Sequence, residues 1–470
     1  KIYMQAWLDA HGRAKVVNTD KWYLDFAITK NVVQLHHGGI KLNSTPGEGT
    51  TFLVRIPLKY ISNSFVMERN HNDMKTSDGF VKTTIAGIPY LLPYGQKIAD
   101  HARSLRLNDS GALLWDTLSL GADKSTLLSV LANYYNTDAD MLPQLTSDLD
   151  SYLASLKQLG MLSYNAPAEN FPPHSDQTDN TFPALFSDDR APKYYKIGGL
   201  CFSWFGPDDL FDTYFKDFSC EAAVADQRIF IITGKPSHLA DGTLLLHTTE
   251  LTIFDVTDTY RFVFGTHWGI HEMRVKKDGS AAVLYCVDAD NKDHAENIFH
   301  ALRFAFLIAA QKQALFVLHS VSIFYQGKAW LFSGSSGTGK STHANLWANR
   351  YHTPVLNGDL NVLGIKNGLP YLYGLPWCGT SETYTTTTYP LGGIVFLKQA
   401  PFNRVNSLPP DEQALFLMQR MISPTWTKDL LLKNLAFAET LAPLTKIFRL
   451  NCTKNPEAAA VMKAAIDQSI

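Results

Sequence analysis

The sequence predicts an α/β chain of several domains, and three observations carry that expectation. Its 470 residues exceed what one hydrophobic core ordinarily organises. Two polar, aperiodic stretches, Asn63–Asp78 and Ser163–Pro192, divide the chain into blocks. In the last block, apolar β-type runs and a helical pattern surround a glycine-rich turn, LFSGSSGTGKSTHANLW, at residues 331–347. The expected organisation is a first block over 1–60, a linker over 61–79, a small module over 80–162, a linker over 163–192 and a large block over 193–470.

The first block ends in the strand-like alternation Thr51–Pro57. In the second, Ser110 is placed to cap a helix carrying Leu113, Leu114 and Leu118, and Ser125 a helix carrying Leu127, Leu128 and Leu131. A third helix, over 139–159, repeats Leu142, Leu145, Leu149, Leu153 and Leu156 at helical spacing. Three short helices fit a small winged-helix or bundle module. In the third block, Arg228–Ile232 and Leu244–His247 read as strands and residues 295–315 as a helix. Val321–Tyr325 and Lys328–Phe332 then form two strands joined by Gln326-Gly327.

Charge and cysteine content exclude several classes. Forty-two Lys and Arg against forty-four Asp and Glu give a net charge of −2, no basis for nucleic acid or an anionic membrane as the main partner. Between Met74 and Leu162, seven Lys and Arg face nine Asp and Glu, which disfavours duplex DNA there too. Cys201, Cys220, Cys286, Cys378 and Cys452 are scattered and never in Cys-x-x-Cys, so neither a disulfide framework nor a thiolate metal site is indicated. A reducing cytoplasm is expected. The apolar stretch Ala301–Leu318 is broken by Arg303, Gln311, Lys312 and Gln313, giving a buried helix rather than a membrane span. The chain opens on Lys1 without a signal-peptide pattern, and Met74-Lys-Thr-Ser has the form of a start. Residues 1–73 are therefore expected to derive from an upstream reading frame.

The glycine-rich turn carries the chemistry. Gly334-x4-Gly339-Lys340-Ser341 is a phosphate-loop pattern, and it leaves a strand and enters a helix, as such a loop requires. Gly334, Gly337 and Gly339 let backbone N–H groups turn toward an anion, reinforced by the helix N-terminus. The expected nucleotide-binding set is Gly334, Ser335, Ser336, Gly337, Thr338, Gly339, Lys340, Ser341 and Thr342. Lys340 would bridge the β- and γ-phosphates of ATP or GTP, and Ser341 would ligate Mg²⁺. Asp359, nineteen residues beyond Lys340, is the candidate metal ligand or base; an Asn357-Gly358-Asp359 hairpin turn is the competing reading.

HSVSIFYQGKAWLFSGSSGTGKSTHANLW, VLNGDLNVL, YLYGLPWCGTSE and PLGGIVFLKQAP together resemble the HPr kinase/phosphorylase-like proteins, whose P-loop fold is shared with ATP-dependent phosphoenolpyruvate carboxykinase. The resemblance implies active-site roles for His319, before the loop, and for Asp359 as base and metal ligand. It also departs at one point: Gly358-Asp359 stands where the bacterial HPr kinase has two adjacent acids. A separate base and metal ligand cannot both come from that pair, so a related kinase acting on another hydroxyl is expected. LRLNDSGALLWDTL and the helices after it resemble PqqD-like modules, implying capture of a precursor peptide or protein substrate through residues 80–162 along a strand edge. FAITKNVVQLHHGGIKLNSTPGEGTTFLVRIPLK, at 26–59, resembles the C-terminal end of a sensor histidine kinase ATPase domain, a partial α/β sandwich. Lys21–Asp25 stand in place of its glycine-rich lid, so this remnant should not bind ATP.

Other residues carry two readings each. His343 faces nucleotide or packs inward, and Trp377-Cys378-Gly379 is a substrate loop or, for Trp377, core. Cys378 lacks a visible acid–base partner. His267, His271 and Glu272 have a metal-like ring but strand spacing, which favours solvated strand residues. Asp288–Asp293 begins like a calcium loop but has Asp293 where glycine is needed, and reads as a turn. The expected function is an Mg-ATP-dependent kinase acting on a hydroxyl, with Ser of a peptide or protein as a candidate acceptor. The alternatives are a carboxykinase-like lyase, a nucleotide-sensing peptide-binding protein, and, more distantly, part of a sensor histidine kinase. Oligomeric state is left open.

Overall fold

The computed structural model describes residues 6–8, 14–16, 39–45 and 49–55 as backbone, and residues 73–137, 139–164, 191–236 and 242–469 beyond them. Residues 17–38, which include the position of the histidine kinase lid, and most of both linkers lie outside the described residues. The chain is a mixed α/β protein that divides into two units, Lys1–His71 and Asn72–Ile470. In the first, strands β1 (Ala6–Leu8), β2 (Ala14–Val16), β3 (Gly39–Thr45) and β4 (Gly49–Arg55) pair antiparallel in the order β1-β2-β4-β3.

The second unit opens with β5 (Met74–Thr76), β6 (Phe80–Ile85), β7 (Ile88–Pro93) and β8 (Leu105–Arg106). Helices α1 (Asp109–Ser119), α2 (Lys124–Tyr135) and α3 (Leu142–Gln158) and strand β9 (Leu162–Tyr164) follow. The module reaches back past residue 80, because Met74–Thr76 pairs with Leu162–Tyr164. All three leucine-rich helices form, but their caps differ from the expected serines. Asn108 accepts from the Gly111 N–H at 2.9 Å and Asp123 from the Thr126 N–H at 2.8 Å, each two residues before the expected Ser110 and Ser125. The hairpin β6–β7 alternates between two cores. Phe80 and Leu91 pack on the helices, whereas Val81, Ile85, Tyr90 and Leu92 pack on the large block.

The large block holds two eight-stranded mixed sheets. The first runs through β10 (Lys193–Ile197), β11 (Leu200–Phe205), β12 (Gln227–Thr233), β13 (Thr243–His247), β14 (Leu251–Val256), β15 (Thr259–Phe264), β16 (Ile270–Lys276) and β17 (Ala281–Cys286), in the order β10-β11-β12-β17-β16-β15-β14-β13. A short helix α4 (Asp208–Tyr214) and the long helix α5 (Ala295–Lys312) share an aromatic core with it, in which Phe306 packs on Phe202 and Phe215 on Trp204.

The second sheet positions the site. Its strands are β18 (Phe316–Tyr325), β19 (Lys328–Ser333), β20 (Val355–Asn357), β21 (Leu360–Lys366), β22 (Leu369–Tyr373), β23 (Tyr389–Gln399), β24 (Arg404–Ser407) and β25 (Lys446–Cys452), with helices α6 (Lys340–Tyr351), α7 (Pro410–Arg420), α8 (Lys428–Leu441) and α9 (Glu457–Ser469). The order is β19-β18-β21-β22-β23-β25-β24, and β23 also pairs with β19, so five strands close into a ring. The apolar runs of β19 and β23 alternate strictly: Ala329, Leu331, Ile394 and Phe396 face α7 and α8, while Trp330, Phe332, Val395 and Leu397 face α6 and α9. Burial on both faces explains why these strands read as continuous apolar runs rather than as polar/apolar alternation. Replacing Asn108 by Ala should cost about 1 kcal/mol in denaturant unfolding, the usual value of an N-cap, and Ser110→Ala far less. The reverse order would refute the cap assignment.

Candidate active site

The glycine-rich turn connects the end of β19 to the start of α6. Gly337 and Gly339 sit at φ 75° and 96°, conformations that a side chain would strain. The Thr338 hydroxyl donates to the Ser335 carbonyl at 2.7 Å and closes the turn. Gln399, at the end of β23, donates to the Gly337 carbonyl at 2.9 Å and ties the turn to the sheet. The α6 N-terminus has no side-chain cap. Among the described residues, no acceptor pairs with the backbone N–H of Gly337, Gly339, Lys340 or Ser341. The Lys340 ammonium reaches back to the Gly334 carbonyl at 3.4 Å. Its pKa is lowered by burial and by the Arg420 charge, against the opposing pull of Asp359.

Asp359 owes its placement to a break in a strand. The structure corrects the hairpin reading: β20 and β21 do not pair with each other but lie end to end along β18, Ser322 opposite Asn357 and His319 opposite Leu360. Gly358 and Asp359 form a break between them with no change of register, facing Val321 and Ser320; the register shift lies one step earlier, where Val355 and Asn357 face Ile323 and Ser322. The buried Asn357 side chain holds the break, accepting from the Asp359 and Leu360 N–H groups at 2.9 and 3.1 Å and donating to the Leu375 carbonyl at 3.2 Å. A side chain at Gly358 is impossible without movement, because its Cβ would lie 1.9 Å from Ser381 Oγ. The break sets Asp359 Oδ1 at 3.0 Å from His319 Nε2, each side chain about one-third exposed. The His319 hydrogen bond, with help from the Arg303 and Lys340 charges, holds the Asp359 carboxyl below its usual range despite partial burial.

Two arginines absent from the sequence-derived set complete the neighbourhood. Arg303 lies on α5 one turn beyond Phe299, whose carbonyl accepts from the Trp377 indole N–H at 3.0 Å. Trp377 begins the loop in which Gly379 presses on Asp359, a Cβ there coming within 3.0 Å of the Asp359 Cβ. Arg420 ends α7, next to Met421, which bridges to Leu318 beside His319. Burial lowers the pKa of both arginines. The signal for Arg303 was the interruption of an apolar helix; for Arg420 the sequence offered none.

The remaining candidates divide clearly. His343 packs inward, buried, accepting from the Trp347 indole N–H at 3.1 Å. Trp377 is core, and Cys378 has a thiol pKa raised chiefly by burial, which makes it a poor nucleophile. His267 lies on a short 3₁₀ turn against Glu250, Nε2 to Oε2 3.1 Å, apart from Glu272. Glu272 is not solvated as expected: it is buried between Arg261 and Arg274, at 2.8 and 2.5 Å. Among the described residues, no three His, Cys, Asp or Glu side chains gather as for a protein-enclosed metal. One hydroxyl, Ser341, and one carboxylate, Asp359, are instead the hard-oxygen donors that suit Mg²⁺ shared with phosphate and water. No helix among the described residues is long and apolar enough to cross a membrane.

Compared with known proteins, the chain matches no protein-family model and no curated protein.

Burial alone pushes the His343 pKa down to about 4. Between the ordinary value of about 6.5 and that point, the unfolded chain binds a proton that the folded imidazole refuses. Stability should therefore fall on acidification through this window, by about 3 kcal/mol in total. Urea unfolding of the parent and His343→Gln at pH 7 and pH 4.5 measures it, the variant losing less. Identical losses would overturn the assignment.

Proposed function

We propose that the chain is a P-loop phosphotransferase of the HPr kinase/carboxykinase type, transferring the terminal phosphoryl group of Mg-ATP or Mg-GTP to a hydroxyl. The observation that carries this reading is the Asp359 carboxylate, held by His319, within electrostatic reach of Lys340 at the phosphate turn. Unpaired amides and Lys340 would hold the β- and γ-phosphates, and Arg420 and Arg303 would add positive charge on either side. Mg²⁺, held by Ser341 and Asp359, would neutralise phosphate charge. The acceptor hydroxyl would donate its hydrogen bond to Asp359. As its oxygen bonds to phosphorus and the nucleoside diphosphate leaves, the proton passes to that carboxylate. A carboxyl held ionised is a weak base, which suits a loose transfer in which the acceptor loses its proton late. A Ser-bearing peptide delivered along the edge strand β8 of the PqqD-like module is the acceptor class this reading favours.

Arg303 and Arg420 support one second reading. Neither has an ion-pair partner among the described residues, and cations beside Asp359 also suit a dicarboxylate, as carboxykinase-like chemistry needs. Consumption of oxaloacetate with Mg-ATP would favour the lyase.

Incubation with Mg-ATP and a library of Ser-containing peptides, read by mass spectrometry, tests the kinase. Lys340→Ala and Asp359→Asn should each slow transfer by about 10²–10³-fold. Asp359→Asn should bind nucleotide nearly as the parent does. Transfer that survives Lys340→Ala would overturn the proposal. Tight binding with no transfer to any peptide would favour a nucleotide sensor.

A further inference from the structure

The phosphate turn has two unlike flanks. The strand order across this end of the sheet is β20, β18, β19, β23, β25, and the turn leaves β19 in the middle. Asp359 and His319 lie on the β18/β20 flank. On the β23/β25 flank lies an open pocket of about 380 Å³, lined by Ser335–Thr338, Phe396–Gln399, Phe416 and Arg449.

We propose that this second pocket is the nucleobase subsite, the base lying against Phe416 and Arg449 while the phosphates cross the turn toward Asp359. The inference rests on the phosphate-loop reading above and extends it to the rest of the nucleotide. Its walls have the chemistry of a stacking site. Phe396 and Arg449 are direct cross-strand neighbours, and Phe416 meets the Phe396 ring at 5.4 Å. The Arg449 guanidinium carbon lies 5.4 Å from the Phe416 ring centroid, so a delocalised cation and an aromatic ring already adjoin there. Every nucleobase has a π-face for such a pair, and stacking of this kind is sequence-tolerant and strong. The volume falls in the range of small-molecule sites.

Helix α7 joins this pocket to the phosphate end. Phe416 and Arg420 stand one turn apart on one face, and Arg420 acts electrostatically on Lys340. Gln399 closes the near wall with its hydrogen bond to Gly337, which leaves its side-chain carbonyl oxygen as an acceptor for an exocyclic amino group. A nucleotide laid this way presents its terminal phosphate to the flank that carries Asp359, with donor and acceptor entering from opposite sides.

Isothermal titration with ADP and with inorganic tripolyphosphate, at fixed Mg²⁺, separates the base from the phosphates. Arg449→Ala and Phe416→Leu should each weaken ADP about tenfold, the scale of one lost stacking partner, and leave tripolyphosphate affinity unchanged, which also certifies the fold of the variants. Lys340→Ala should weaken both ligands. If the variants bind ADP as the parent does, or lose both ligands equally, the base subsite is overturned while the phosphate loop stands. If the parent binds neither ligand, the phosphate-loop reading fails and the subsite with it.

Discussion

One interrupted strand governs the site. β18 is flanked on one side by a strand that would run unbroken from Val355 to Lys366 but for the break at Gly358-Asp359. A regular strand would keep its side chains alternating between the two faces, both filled by apolar packing. The break turns the Asp359 side chain to His319, the partner of Leu360, while its carbonyl still accepts from the Ser320 N–H at 2.9 Å. Its cost is a buried amide at Asn357, which would be about 2–7 kcal/mol if left unpaired. Both ends of that amide are hydrogen-bonded, so the cost is met locally. The glycine is fixed by the neighbouring turn: Ser381 donates to the Cys378 carbonyl and occupies the space a Cβ would need.

The electrostatics follow from the same placement. A lone carboxylate in a partly buried cleft would be pushed toward its neutral form. Here His319, Arg303 and Lys340 act in the opposite direction and win. The site thus contains more positive than negative charge, with one carboxylate amid several cations. A nucleoside triphosphate, the ligand of the proposed function, would bring the missing negative charge, and the unpaired amides of the turn suit an anion of that kind.

Much of this was legible in the sequence, and the exceptions share a cause. The strand, turn and helix around Lys340 were readable because their signals are local: a continuous apolar run, glycines that reach positive φ, and a helical period after them. His319 entered through a resemblance and Asp359 first through its spacing after Lys340, and the competing hairpin reading of Asp359 was reasonable, since Asn-Gly-Asp has the same local preferences in a hairpin and in a strand break. What separates the two is the partner strand, forty residues away in sequence, which no local pattern encodes. Arg420 and Arg449 fail for the same reason, and Glu272 was misplaced because its partners Arg261 and Arg274 were invisible to strand alternation. The caps were each missed by two residues because Asn, Asp and Ser compete for the same role.

The hairpin β6–β7 shows why the small module and the large block form one unit. Its two faces belong to different cores, so neither core is complete without it. Tyr90 carries the polar part of that junction: its hydroxyl donates to Asp411 at 2.7 Å, and burial with the Asp411 charge raises its pKa to about 12. Asp411 lies in the first turn of α7, where its carboxylate also complements the positive end of the helix dipole. The far end of the same helix carries Phe416 and Arg420. A helix pinned at its N-terminus by the module therefore sets where its last turn stands relative to Lys340. Substrate capture and phosphate binding, if they occur in separate parts of this chain, share a rigid element whose two ends each belong to one of them.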